Sequence, residues 1–172
     1  MTITQYIQKI KEKDMTTKEK QNEITVSEVF HLWIHLNQRY IVIHLTDILE
    51  NFTQDNDLKL ILKTGKTILN KNINLLENEM VSYGIPLPLR PPKESRTVDK
   101  IEEISDRYVY RRILRGIQAF LPTHMMGFIH STSPKIRSLF MTFLIDEMKL
   151  YDNFIEYGKL KEYLLQPPNY KS

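Results

Sequence analysis

The stretch YGIPLPLRPPK, residues 83–93, decides how this chain can fold. It places four prolines within seven residues, at positions 86, 88, 91 and 92. Proline fixes φ and has no backbone N–H, so this stretch cannot be helical and favours an extended, polyproline-like conformation. An extended connector of about 14 residues, at roughly 3.1 Å per residue, spans on the order of 40 Å. A helix of about 27 residues has a similar length, so the connector can run the full length of a helical bundle.

Helical patterns flank this connector on both sides. Upstream, Ser27 is a candidate N-cap for the first long helix, and the second ends at Gly84, the residue type expected just past a helix C-terminus. Downstream, Ser133 and Pro134 mark the start of the last helix. The sequence therefore predicts four helices and a short C-terminal turn, at about 27–53, 56–83, 98–130, 134–157 and 159–165.

Two tight turns and one full-length connector restrict the topology of these helices. The predicted fold class is all-α, a four-helix bundle with one long Pro-rich crossover between helices 2 and 3, which is the ferritin-like arrangement. We expect the bundle domain to occupy residues 25–172. Residues 1–24 are Lys-rich and weakly hydrophobic, which predicts a polar tail or a short helix.

The composition is that of an ordinary globular domain. Of 172 residues, 41% are hydrophobic and 26% are charged, and 24 basic residues nearly balance 21 acidic ones. No nucleic-acid partner is predicted from this balance. No window approaches the roughly 20 apolar residues of a membrane span, nothing at the start resembles a secretory signal, and the chain has no cysteine. We therefore expect a cytoplasmic protein without a membrane span.

Few ionisable side chains interrupt the apolar stripes of the predicted helices. His31 and His35 lie one turn apart on helix 1, His124 interrupts the stripe of helix 3, and Glu147 is the only charge on that of helix 4. A buried ionisable group is costly unless it is paired or binds a metal. The topology puts His35 and His124 at a similar level, so these four residues are candidate ligands for iron, manganese or zinc.

Other features of the sequence argue against catalysis. Di-iron bundles carry a Glu-x-x-His pair on each of two helices; this sequence has that spacing once, at Glu28 and His31, and the second pair is missing. The alternative is that the histidines and Glu147 hydrogen-bond to one another and fix the register of the helices. There is no Ser/His/Asp arrangement and no glycine-rich phosphate loop, so we assign no catalytic or cofactor-binding residue and favour a non-enzymatic role.

Two further patterns bear on function. Pro122 in helix 3 predicts a kink, which would open a cavity in the bundle core or let the helix wrap around its neighbour. Helix 1 is apolar on a second side as well, away from the His35 stripe, which predicts a homodimer through helix 1. The residues of that second side are Leu32, Trp33, Leu36, Tyr40 and Ile43.

Four segments together resemble a known family: HLWIHLNQRY (31–40), YGIPLPLRPPK (83–93), GIQAFLPTH (116–124) and YGKLKEYLLQPPNY (157–170). They are similar to uncharacterised ferritin-like proteins of spore-forming bacteria, which are often labelled as spore coat proteins or related to the coat F domain. The resemblance covers about residue 25 to the end. It implies a four-helix bundle and an association with spores, and it brings no established activity.

Within this resemblance, His31, Leu32 and Trp33 match a His-Leu-Trp start, and Asp146 and Glu147 match an acidic pair in the last helix. Where the family pattern has Gly-Trp, this chain has Glu162-Tyr163.

The leading hypothesis is a non-enzymatic structural or interaction protein, located in the spore coat or otherwise spore-associated, with other spore proteins as partners. The alternative is a metal-binding protein or metal-dependent oxidoreductase with a His/Glu site in the bundle core. A third hypothesis is a bundle that binds a small molecule or lipid in a cavity near Pro122.

Overall fold

The computed structural model describes residues 15–92, 104–168 and 170, together with four N-terminal residues that are helical and exposed, Ile3, Tyr6, Ile7 and Ile10. Five helices lie wholly within the described residues, and no strand does: α1 (Thr17–Glu23), α2 (Val26–Glu50), α3 (Asn56–Ser82), α4 (Asp106–Ile129) and α5 (Pro134–Leu160). The all-helical class predicted from the sequence is therefore confirmed. None of these helices is both long and apolar enough to cross a bilayer. Residues 93–103, the middle of the predicted connector, lie outside the described residues.

The first long helix begins earlier than the sequence suggested. Thr25, not Ser27, is its N-cap, because the Thr25 side chain accepts the N–H of Glu28 while the Glu28 carboxylate accepts the N–H of Thr25. This reciprocal pair is a capping box. The Ser27 prediction was wrong because that residue already lies in the first turn of α2.

Glu28 also fixes where α5 begins. Its second carboxylate oxygen accepts the backbone N–H groups of Thr132 and Ser133 at 2.8 and 2.7 Å. Burial by itself raises the pKa of Glu28, but the hydrogen bonds from Ser133, Thr25 and Thr132 outweigh it, and the pKa is lowered. The carboxylate is therefore ionised at neutral pH and ties the start of α2 to the α4–α5 turn.

A second carboxylate ties the opposite end of the bundle. Asp106, the first residue of α4, accepts the backbone N–H groups of Gln54 and Asp55 at 2.7 and 3.0 Å. The Ser105 side chain caps the same helix, so α4 starts at Asp106; the start predicted near residue 98 lies outside the described residues. The other end of α3 lies beside α1, where the Gln21 side chain donates to the Tyr83 carbonyl at 2.9 Å. The end of α3 and the start of α4 are therefore at opposite ends of the bundle.

Two separate clusters of buried apolar side chains form the core. One lies toward the start of α2 and contains Leu36, Tyr40, Leu76 and Phe140 among others. The other lies toward the α2–α3 turn, and its members include Leu49, Leu58, Tyr110 and Phe154. Three buried polar side chains lie between these clusters, those of Arg39, His124 and Glu147.

Helix α5 passes through Gly158, where the sequence suggested that it would stop. The Tyr110 ring packs directly against Gly158, and a Cβ there would overlap the Tyr110 hydroxyl. The helix ends instead at a Schellman motif, in which the N–H of Tyr163 donates to the Gly158 carbonyl at 2.9 Å,. The left-handed residue of this motif is Glu162, with φ 58°. Glycine adopts a positive φ without steric cost, so it would suit this position better than glutamate does.

Candidate functional site

Helices α2, α4 and α5 bring three polar side chains together at the centre of the bundle. Arg39 Nη2 lies 3.3 Å from His124 Nε2, His124 Nε2 lies 3.3 Å from Glu147 Oε2, and Arg39 Nη2 lies 3.7 Å from Glu147 Oε2. All three residues are buried, with 3%, 0% and 7% of their surfaces exposed. We call Arg39, His124 and Glu147 the polar triad.

The cation of the polar triad is held between two aromatic rings. The Arg39 guanidinium carbon lies 4.8 Å from the centroid of the Phe120 ring and 5.3 Å from that of Phe143. Burial lowers the pKa of Arg39 to about 10, and the attraction of Glu147 opposes this effect. Arg39 therefore remains charged at neutral pH. Sequence reasoning missed it, although it follows His35 by one turn and so shares its face.

His124 joins the other two members of the triad as a neutral ring. Burial lowers its pKa, the hydrogen bond to Glu147 opposes that shift, and the charge of Arg39 adds to it. A single ring nitrogen cannot accept a hydrogen bond from Arg39 and donate one to Glu147 at the same time. One of the two 3.3 Å contacts is therefore only a polar contact, and the triad is loosely paired.

His35 lies beside the triad in an aromatic cage. Its ring stacks on Phe143 at a centroid distance of 5.7 Å and meets the edges of Phe120 and Phe140 at 5.5 and 5.3 Å. Burial holds its pKa well below the usual range, and nearby Arg39 acts in the same direction. The ring is 4.7 Å from that of His124, but its Nε2 atom has no hydrogen-bond partner.

His31 takes no part in this cluster. Its Nε2 atom lies 2.9 Å from Nδ1 of His130, near the surface. Burial and the neighbouring His130 lower the pKa of His31. Of the four residues predicted as metal ligands, the structure thus brings His35, His124 and Glu147 together and places His31 in a separate histidine pair.

The donor set of the cluster fits an ion pair better than a metal centre. Within residues 15–92 and 104–168, no group of three or more His, Cys, Asp or Glu side chains is arranged to hold a metal ion. The Arg39 guanidinium lies against both His124 and Glu147, so it would repel a metal cation at those atoms. Chemically, the arrangement neutralises one buried carboxylate with one buried cation.

A cavity of about 350 Å³ adjoins the polar triad. All four long helices line it, mostly with apolar side chains, and Arg39 and Glu147 contribute polar surface. Phe120 and Thr123, which flank Pro122 in α4, are among the lining residues. A cavity therefore lies beside the turn where the sequence suggested one.

Comparison with known proteins places the chain in a family and a fold. Residues 3–172 match the family model described as "Protein of unknown function (DUF3231)". The structure resembles the crystal structure of a "putative spore coat protein" from Bacillus halodurans, with a TM-score of 0.79 and 21% identity over 94% of this chain and 99% of that one. Together these findings confirm the family resemblance noted in the sequence. No curated protein matches the chain.

Two other solved structures share the fold at lower similarity. A conserved hypothetical protein from Mycobacterium tuberculosis has a TM-score of 0.65 and 10% identity, over 76% of this chain and 96% of that one. A two-domain protein from Anabaena variabilis, with DJ-1/ThiJ/PfpI-like and ferritin-like domains, has a TM-score of 0.64 and 17% identity, over 87% of this chain and 42% of that one. These likenesses support a helical bundle and carry no information about activity.

Breaking the polar triad on one side should destabilise the fold more than removing both charges. We expect Arg39→Met to lower the free energy of unfolding by about 3–5 kcal/mol, because Glu147 is then buried without a cation. The double variant Arg39→Met/Glu147→Leu should recover most of this loss, since no charge remains to be compensated. Urea denaturation of the wild type, both single variants and the double variant measures the coupling.

The matched control for this cycle is Lys66→Met, which removes a cation from a more exposed ion-pair cluster with Asp47 and Glu50. It should cost no more than about 1 kcal/mol. An Arg39→Met variant that is as stable as Lys66→Met would show that the triad does not hold the helices together.

Proposed function

This chain belongs to the DUF3231 family of proteins of unknown function, and from that premise we propose that it is a non-enzymatic structural or interaction protein associated with spores. Support for the spore association comes from the description of the Bacillus halodurans protein as a spore coat protein, at 21% identity. The non-enzymatic role rests on one observation, the Arg39 guanidinium against Glu147 and His124. These three buried ionisable groups contact one another and so connect the helices that carry them.

We further propose the ferritin-like four-helix topology for α2 to α5, with residues 84–105 as the crossover. The opposite positions of Tyr83 and Asp106 in the bundle support it. So does Arg90, whose guanidinium pairs with Glu77 of α3 and lies 4.8 Å from the ring centroid of Tyr40 on α2. This contact fixes the first part of the connector along the outside of the α2–α3 pair.

The spore association can be tested directly in a spore-forming bacterium that carries this gene. We expect an antibody raised against the purified chain to detect it in washed, density-purified spores, because a structural role requires incorporation into the spore. A cytoplasmic marker enzyme serves as the control for carry-over from lysed cells. Detection only in the soluble fraction of the mother-cell lysate would contradict the proposal.

The apolar face that could pair with a second copy differs from the one read off the sequence. Leu32, Leu36 and Tyr40 are buried in the core. Three exposed apolar side chains near the start of α2 follow helical spacing, Val26, Phe30 and Trp33. On α4, whose end is joined to this region by the His31–His130 contact, two more exposed apolar residues add to it, Met126 and Ile129. We call these five residues the apolar face and propose that it forms a homodimer.

A charge placed in the apolar face should separate the two copies. Phe30 is 59% exposed, so Phe30→Asp should leave the fold intact while removing a central contact of the pair. We expect light scattering to give twice the chain mass for the wild type and the chain mass for the variant. Leu60→Asp is the matched control, since Leu60 is 65% exposed on α3, outside the apolar face. A wild type that is monomeric at high micromolar concentration would contradict the homodimer proposal.

Metal binding is the second candidate function, and one observation favours it. His35 Nε2 and His124 Nδ1 are buried without hydrogen-bond partners, and imidazole nitrogens can bind iron, manganese or zinc. With His35, His124 and Glu147 as ligands, the site would require Arg39 to leave its place beside the carboxylate.

Metal analysis of protein purified without an affinity tag separates the two candidates. We expect iron, manganese and zinc well below one equivalent per chain, and no change in His35→Ala/His124→Ala. His31→Ala is the control, because His31 pairs with His130 outside the cluster. Near-stoichiometric metal that is lost only in the double variant would replace the structural role with the metal-binding one.

A further inference from the structure

The cavity beside the polar triad has the size of a small-molecule site. Its volume of about 350 Å³ is at the lower end of the range of ligand pockets. It is also roughly twice that of an engineered apolar cavity that takes up benzene. Such a volume suits an occupant of on the order of a dozen non-hydrogen atoms. The apolar side chains that line it include Val42, Leu45, Ile61, Ile117 and Leu150.

Two glycines in helix interiors line this cavity. Gly65 of α3 and Gly116 of α4 both line it, and a Cβ added to either would meet no atom within 4 Å. Glycine inside a helix lowers helix stability relative to alanine, so these two positions carry a cost that packing does not explain. By contrast, Gly127 and Gly158 lie against the rings of Phe140 and Tyr110. Open space, and not a packed ring, therefore lies beside Gly65 and Gly116.

One end of the cavity carries a buried donor with no acceptor. Arg39 lines the cavity, and its Nε atom has no hydrogen-bond partner. Only 3% of the residue is exposed. A buried, unpaired guanidinium nitrogen is costly in a purely structural core.

Among the residues that the structure describes, the exposed lining of the cavity carries positive charge. Arg112 and Arg115 line it and are exposed, and neither forms an ion pair with any residue that the structure describes. Lys66 also lines the cavity, but Asp47 and Glu50 already neutralise it. An occupant with a negative charge at one end would therefore be matched at this lining.

We propose that the cavity binds a linear amphipathic carboxylic acid, with its apolar chain between the four helices and its carboxylate at Arg112 and Arg115. Arg112 and Phe120 are eight residues apart on α4, or about 12 Å along the helix axis. A chain of about ten carbons fits within this length. This binding goes beyond the proposed structural role and does not depend on it.

Titration calorimetry of the full chain at low ionic strength, with decanoate below its micelle concentration, tests this proposal. Saturable binding of one decanoate per chain is expected, at least tenfold tighter than decylamine, which has the same chain and the opposite charge. Arg112→Gln/Arg115→Gln should weaken decanoate binding by about tenfold, because each exposed charge pair contributes modestly. The double variant should leave decanol binding within about twofold.

Filling the cavity separates ligand binding from stability. Gly116→Leu places a side chain in open space and improves helix propensity, so the variant should fold and bind decanoate at least tenfold more weakly. Gly116→Ala, the matched control, removes the same glycine but adds only a methyl group, and its decanoate affinity should stay within about threefold. Unchanged decanoate affinity in folded Gly116→Leu, or equal affinity for decanoate and decylamine, would overturn the proposal. So would a wild type that takes up no decanoate at all.

Discussion

A charged guanidinium in the middle of a helical bundle constrains everything packed around it. Arg39 comes from α2, its carboxylate partner Glu147 from α5, and one of its ring partners, Phe120, from α4. Because an unpaired buried charge costs several kcal/mol, these three helices can pack closely only in the register that brings the groups together. Apolar side chains alone tolerate many registers. We therefore expect the polar triad to favour one register among those that the hydrophobic core would accept.

At each end of the bundle, a carboxylate that accepts backbone hydrogen bonds also aligns the helices. Glu28 and Asp106 each accept two backbone N–H groups of a neighbouring turn. Those N–H groups belong to residues at the start of a helix, where no intrahelical partner is available and the helix dipole favours a negative charge. The bundle is thus aligned at three levels, by a carboxylate at each end and by an ion pair near its centre.

The sequence predicted those features that follow from regular spacing or from residue type. The 3.6-residue period placed His35, His124 and Glu147 on inward faces, and Gly84, with φ 66°, ends α3 as its type suggests. It could not tell Gly158, which lies against a ring, from a helix stop, because the distinction depends on Tyr110, about 50 residues away. Arg39 was missed because an arginine in an apolar stripe is usually assigned to the surface. Only the positions of Phe120 and Phe143 show why it can be buried.

The charges at the centre of the bundle favour the proposed structural role over the metal-binding alternative. In di-iron bundles several carboxylates face one another, and the metal cations compensate them. Here the triad contains one carboxylate, and Arg39 supplies one positive charge beside it. Burial keeps both His35 and His124 neutral by lowering their pKa values, so the central charges already sum to zero. A divalent metal would leave two uncompensated positive charges in a region shielded from water, which favours Arg39 as the cation of this bundle.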